Sequence, residues 1–239
     1  MTDTQTVRSF IDLRDCAARC DLLAATGDGA WTANRAVLPL RGGPVTLSVL
    51  RLSGDGTEAA LSADEFAIVL EGGLSIVQAG NPYEVPAGRS IVIPAGIPFE
   101  WIARTATTVI VMACKSGPAG AVHPVRIDES ADLVASGAPL AELLVGPTPS
   151  CRNFTDYRSG NGEFVCGTWD STPYHRRAMT YGHFELMHLL QGAVTFVDES
   201  GREATFGEGD VFLVEQGARC SWESRVDVKK VYAIYRPVA

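Results

Sequence analysis

Tyr181-Gly182-His183-Phe184-Glu185-Leu186-Met187-His188-Leu189-Leu190-Gln191-Gly192 reads as a β-strand running into a glycine turn. Alternate side chains on a strand share a face, so Tyr181, His183, Glu185 and Met187 point one way while Phe184, Leu186 and His188 point the other. A carboxylate and an imidazole on one inward face are costly to bury unless paired, which favours a lined cavity over plain core. Working outward, Glu185 and Gly192 have counterparts in Glu65 and Gly72 at an offset of 120 residues. Gly209, Gly217 and Trp222 match Gly88, Gly96 and Trp101 at an offset of 121. One residue inserted in the intervening hairpin, Asp198-Glu199-Ser200-Gly201 against Gln78-Ala79-Gly80-Asn81, accounts for the change.

A repeat of this length suits tandem copies of a domain, and many short strands with glycine turns imply a closed or nearly closed β-barrel or sandwich in each copy. Segments 45–52, 65–70, 73–78, 90–93, 98–103 and 108–113 are expected strands of the first copy. Segments 164–169, 184–190, 193–198, 203–206, 211–214, 219–223 and 228–235 are those of the second. The stretch Ser116-Gly117-Pro118-Ala119-Gly120 reads as the seam, giving domains 1–120 and 121–239. Residues 13–25 are expected to form a short helix, and 125–144 are expected to be polar and partly helical.

Net charge excludes some partners. The total of −8 divides into −3 for residues 1–120 and −5 for 121–239, with no basic cluster. Nucleic acid and anionic membrane, which need clustered Lys and Arg, are therefore not expected to bind. Residues 1–8 lack the basic-then-apolar pattern of a secretory leader, and no apolar run reaches membrane-spanning length, so the expected location is cytoplasmic. Cys16, Cys20, Cys114, Cys151, Cys166 and Cys220 are scattered without a paired-ligand spacing, and cysteines so placed in a reducing compartment are mostly small buried hydrophobes.

Glu65, six residues, Gly72, then Gly88, five residues and Pro94-Ala95-Gly96 resemble the two cupin motifs; so do Glu185 to Gly192 and Gly209, five residues, Glu215-Gln216-Gly217. With Trp101, Trp222 and the ending Lys230-Val231-Tyr232, the chain resembles a bicupin of the branch that includes ureidoglycine aminohydrolases and the ethanolamine-utilisation cupin protein. That resemblance implies an all-β chain of two double-stranded β-helix barrels, each with its pocket between two sheets. It also implies histidine ligands before the motif glutamate and after the second motif's last glycine. Here those places hold Ala178 and Thr180, or Met179 and Tyr181, and then Cys220. In the first half they hold Glu58 and Ala60, or Ala59 and Leu61, and then Phe99. The first barrel is therefore expected to be structural, and a divalent metal in the second is not favoured because a catalytic metal wants three firm protein ligands. No other cofactor is indicated.

The candidate chemistry gathers on the second half. Glu185 and His183 are the candidate acid–base pair, which can exchange a proton with an amine or amide nitrogen if desolvation lifts the carboxylate toward neutrality. Tyr181, Trp169 and Trp222 are candidate aromatic walls, though they also suit a barrel core. Cys220 points into the pocket by resemblance. Arg176 and Arg177 can clamp a carboxylate, with Arg177 taken as the ligand-binding candidate and solvation as the plainer reading. Three functional readings follow: a hydrolase-like enzyme acting on a small nitrogen-containing metabolite, a non-catalytic binding or sensing bicupin, and a scaffold that associates, for instance as a homodimer, through sheet faces.

Overall fold

Each matched glycine pair adopts one and the same left-handed backbone state in a computed structural model of the chain. Gly72 and Gly192 have φ of 81° and 80°, Gly88 and Gly209 of 79° and 86°, and Gly96 and Gly217 of 83° and 88°. A side chain at Gly192 would also strike the Asp227 carbonyl, its Cβ lying 2.2 Å from that oxygen. These turns need glycine for conformation and, at that position, for space. The inserted residue falls in the expected hairpin: Ala79 and Gly80 form the first loop, whereas Glu199, Ser200 and Gly201 lie between the paired Asp198 and Arg202 in the second. The structure describes residues 9–115 and 117–238; the N-terminal stretch read for a leader, and Ser116 of the seam, lie outside them.

The fold is all-β, two barrels in tandem. In the first, Arg35–Leu38, Val45–Glu58, Phe99–Cys114, Asp64–Glu71, Ser90–Ile93 and Val125–Arg126 run side by side, and Gly73–Gln78, paired with Asn81–Pro86, joins the far part of Phe99–Cys114. In the second, Ile11–Asp12, Val211–Val214, Phe184–Gln191, Val228–Tyr235, Phe164–Ser171, Cys151–Arg158 and Val134–Ser136 form one sheet. Tyr174–Thr180, Arg219–Ser224, Ala193–Val197 and Glu203–Gly207 form the other. Two long strands of the first half, Val45–Glu58 and Phe99–Cys114, run on through a shift of register between Leu52 and Gly54 where the sequence suggests shorter pieces. Among the described residues no helix is long and apolar enough to cross a membrane.

The expected helix over 13–25 closes early, at Leu13–Ala18. Beyond it the chain finds partners on the first barrel: Ala25 N–H donates to the Arg51 carbonyl, and the Arg51 guanidinium donates to the carbonyls of Leu22 and Ala17. Segment 125–144 is extended, not helical, apart from the short turn Ala141–Leu143. Open sheet edges capture it, since Val125–Arg126 pairs with Ser90–Ile93 and Val134–Ser136 pairs with Cys151–Arg158.

Strand alternation divides the core in three. Leu50, Leu52, Val69, Ile76, Val109 and Val111 fill the first barrel together with Trp31 and Trp101. Phe196, Phe206, Phe212 and Trp222 fill much of the second. Between them, Leu47, Phe66, Ile68 and Met112 meet Leu186, Leu213, Val231 and Ala233, so the halves share a continuous apolar face.

His188 is on this shared side, of opposite parity to Glu185, with Nδ1 buried and unpartnered. Burial first, then the positive charge of Arg14 and Arg89, pushes its ring down to about 4. The folded protein thus favours the neutral ring, so the contribution to stability is complete above the unfolded value near 6.5 and is lost as pH falls toward about 4. The expected loss across that window is on the order of 3 kcal/mol. Urea unfolding of wild type and His188→Gln at pH 7.5 and pH 4.5 checks this, with the acid loss smaller in the variant; equal losses would disprove it.

Candidate functional site

Glu65 and Glu185 stand at the same register. Glu65 pairs across its sheet with Ile93 and Ala113, Glu185 with Val214 and Ile234. Both carboxylates are buried and ion-paired, but their partners differ. In the first barrel the short helix Ala30–Ala33 enters the barrel and Trp31 fills the interior. Trp31 Nε1 donates to Glu65 Oε2 at 2.8 Å, and Arg35 grips both oxygens at 2.9 and 2.7 Å. That barrel is plugged, and its glutamate fastens the plug.

In the second barrel one partner comes from the neighbouring strand Val228–Tyr235 and the other from the bend that leads into Glu185's own strand. Lys230 Nζ donates to Glu185 Oε1 at 2.8 Å, and His183 Nε2 lies 3.1 Å from Oε2. Lys230 also lies 3.2 Å from Met187 Sδ and faces the rings of Trp169 and Trp222 at 4.8 and 4.9 Å from their centroids. Such rings stabilise a desolvated ammonium through their negative faces. Arg236 Nη2 approaches His183 Nδ1 at 3.5 Å. Burial alone pushes the Glu185 carboxyl up, but Lys230 and the His183 hydrogen bond together outweigh it and hold the group well below the usual carboxylate range. This corrects the expectation of a carboxylate lifted toward neutrality: Glu185 is a fixed anion.

Around this trio open two cavity lobes of about 690 and 610 Å³ that share Trp169, His183, Glu185, Lys230 and Arg236. Asn153, Thr155, Arg158 and Tyr232 line the first lobe. Tyr174, Arg176, Met179, Tyr181 and Trp222 line the second. Each is within the size range of a small-molecule site.

The structure brings together Glu185, His183, Tyr181, Trp169 and Trp222. It does not bring in Arg177, whose side chain is exposed and donates to the Glu142 carbonyl. A β-bulge between Arg176 and Met179 shifts the alternation, so that Arg176, Met179 and Tyr181 line the lobe while Arg177 faces outward. Cys220 is fully buried and lines neither lobe. Burial pushes its thiol up to about 11, which leaves little thiolate for nucleophilic attack. Its backbone carbonyl instead accepts from Arg176 Nη2.

Lys230 is the residue that sequence reasoning missed. Its signal is the repeat itself: at the same offset of 121 the first half holds Val109, a core residue, so a lysine there marks an interior that is not all hydrocarbon.

A divalent metal does not fit this arrangement. Among the described residues no three His, Cys, Asp or Glu side chains converge as a metal site. One oxygen of Glu185 already meets an ammonium, and the other meets His183. A metal there would have to displace Lys230 from a buried ion pair.

Residues 158–232 match the EutQ-like cupin domain and residues 55–114 match the cupin domain. Among solved structures, a DUF861-family protein of unknown function from Pseudomonas syringae pv. tomato is 26% identical, with a TM-score of 0.79 over 83% of this chain and 85% of that one. The E. coli protein YlbA, also DUF861, is 11% identical with a TM-score of 0.55 over 95% of this chain and 99% of that one. A salicylate 1,2-dioxygenase from Pseudaminobacter salicylatoxidans is 11% identical with a TM-score of 0.55 over 98% and 87%. These last two share the fold alone. No curated protein sequence matches the chain significantly.

Proposed function

We propose that this protein of two cupin domains is a small-molecule enzyme whose second barrel acts on a nitrogen-containing metabolite, with hydrolysis, the reaction type implied by its resemblance to ureidoglycine aminohydrolases, as its chemistry. One observation carries the reading: a buried imidazole held by a buried carboxylate at the waist between two cavity lobes. With Nε2–H donating to Glu185, His183 keeps the lone pair of Nδ1, and the approach of an Arg236 N–H to that same nitrogen supports this tautomer. Once a ligand or water takes the place of the long Arg236 contact, His183 is the group that takes a proton from it and returns it to the leaving nitrogen. Glu185 orients the ring and stays ionised, Lys230 holds Glu185, and Trp169 walls the waist.

Ammonia release from a panel of ureides, amino acids and amines tests the proposal. His183→Ala is expected to lower kcat by about 10²–10⁴-fold, the usual contribution of a positioned acid–base group, with the fold intact by circular dichroism. Glu185→Gln is expected to lower it less, because it disturbs orientation only. Turnover that survives His183→Ala would refute the role given to that residue.

A second reading has its own support. Both oxygens of Glu185 are engaged by protein groups, which also suits a non-catalytic site that binds without turnover. Ligand-dependent thermal stabilisation with no product from any panel member would favour it.

A further inference from the structure

The second lobe contains a cation that the chemistry proposed above does not use. Arg176 is 5% exposed. Its Nη2 donates to Tyr181 Oη at 3.2 Å and to the Cys220 carbonyl at 3.3 Å, and its guanidinium lies 5.1 Å from the Tyr181 ring centroid. Its Nε is buried with no partner. Among the described residues no carboxylate pairs with it, whereas Arg35 has Glu65 and Lys230 has Glu185. A guanidinium cannot shed its proton to escape this, so the charge stands desolvated with neutral acceptors only.

The repeat shows what the residue replaces. Arg176 pairs with Trp222 as Gly56 pairs with Trp101. At Gly56 a Cβ would come within 2.2 Å of the Gly27 carbonyl, because the plug segment fills that space in the first barrel. In the second barrel, among the described residues, no counterpart of the Ala30–Ala33 helix enters, and an arginine lines the cavity instead.

We infer that Arg176 is the seat for the carboxylate of an organic acid lying in the second lobe. The planar guanidinium suits a carboxylate, and Tyr181, whose phenol burial keeps protonated, has its own O–H to donate beside it. Leu140, Leu143 and Met179 fit a short apolar portion. The Tyr181 ring lies 5.3 Å from the His183 ring and 5.1 Å from the Arg176 guanidinium, so the seat and the imidazole both border the same tyrosine. The inference deepens the proposed function by making the metabolite a nitrogen-bearing acid; for the reacting end it rests on that reading, but the carboxylate seat does not require turnover.

Acetate, compared with acetamide as its neutral isostere at constant ionic strength, tests the seat through melting temperature and tryptophan fluorescence. Acetate is expected to give a saturable response that acetamide lacks. Arg176→Lys is expected to weaken it at least about fivefold, as a point charge loses the two-pronged contact. Arg176→Met is expected to abolish it and to leave the ligand-free melting temperature equal or higher, because an unpaired buried charge is replaced by hydrocarbon. His183→Ala is expected to keep the acetate response, which separates the seat from the acid–base role; a wild type that binds acetate but turns over no member of the panel would overturn the enzyme reading and leave this one standing. A wild type with no saturable response to acetate, or an unchanged response in folded Arg176→Met, would overturn the inference. If Arg176→Met does not fold, Arg176→Lys decides: an unchanged acetate response there overturns it as well.

Discussion

Replacing Lys230 with methionine is expected to destabilise the protein by about 3–5 kcal/mol at neutral pH, the usual cost of breaking one side of a buried ion pair. Methionine matches the length of the lysine stem and can still pack beside Met187, Trp169 and Trp222, so little of the effect comes from a void. What remains is Glu185, buried with only His183 to face it. Without the ammonium, burial dominates and the carboxyl of the variant is driven upward, so the deficit shrinks as pH falls and Glu185 takes up a proton. The double variant Lys230→Met with Glu185→Leu is expected to recover most of the loss, since exchanging a whole buried pair for hydrocarbon is often neutral or stabilising. Urea midpoints at pH 7.5 and pH 5 measure all of this. A Lys230→Met protein as stable as wild type at pH 7.5 would show that the pair has no structural weight.

Truncating Trp31 to alanine should have a comparable effect in the other barrel. Its side chain is fully buried, and removing a buried aromatic costs about 3–5 kcal/mol through lost transfer energy and the cavity left behind. Glu65 loses its indole donor as well but keeps both contacts to Arg35, which limits the additional penalty. Trp31→Phe separates the two terms: it retains most of the volume, including the edge-on contact with Phe99, and is expected to cost roughly 1–2 kcal/mol, mainly for the missing N–H. Free indole at millimolar concentration is expected to raise the melting temperature of Trp31→Ala and not that of wild type, as an apolar cavity takes up the fragment that was removed. A Trp31→Ala protein within 1 kcal/mol of wild type, a bound set here as about the smallest core effect, would show that the helix does not plug the barrel.

The fold was largely legible from the sequence because the turns constrain it. Gly72, Gly88 and Gly96 and their counterparts need left-handed φ, and the strands between them are too short and too β-branched to be read otherwise. The site was half legible. Strand parity placed His183 and Glu185 together although the strand begins only at Phe184, because the bend before it keeps His183 on the side of Glu185. It failed at Arg177, where a bulge resets the alternation within a single strand, and no local residue pattern announces a bulge there. It failed at Lys230 for a different reason: the lysine is one of two in succession, and only pairing across three strands decides which of Lys229 and Lys230 turns inward. The plug was unreadable for a third reason. A four-residue helix has no periodicity to detect, and Trp31 meets Glu65 only after the chain has closed a loop of more than thirty residues.

The two barrels are laced together by exchanged staves. Ile11–Asp12, near the start of the chain, closes an edge of the second barrel's sheet, while Val125–Arg126, just past the seam, closes an edge of the first. Excised at the seam, the second half would arrive with one of its flanks stripped and would carry off the strip belonging to its neighbour. Each half thus completes a sheet edge of the other, and neither is free to drift alone.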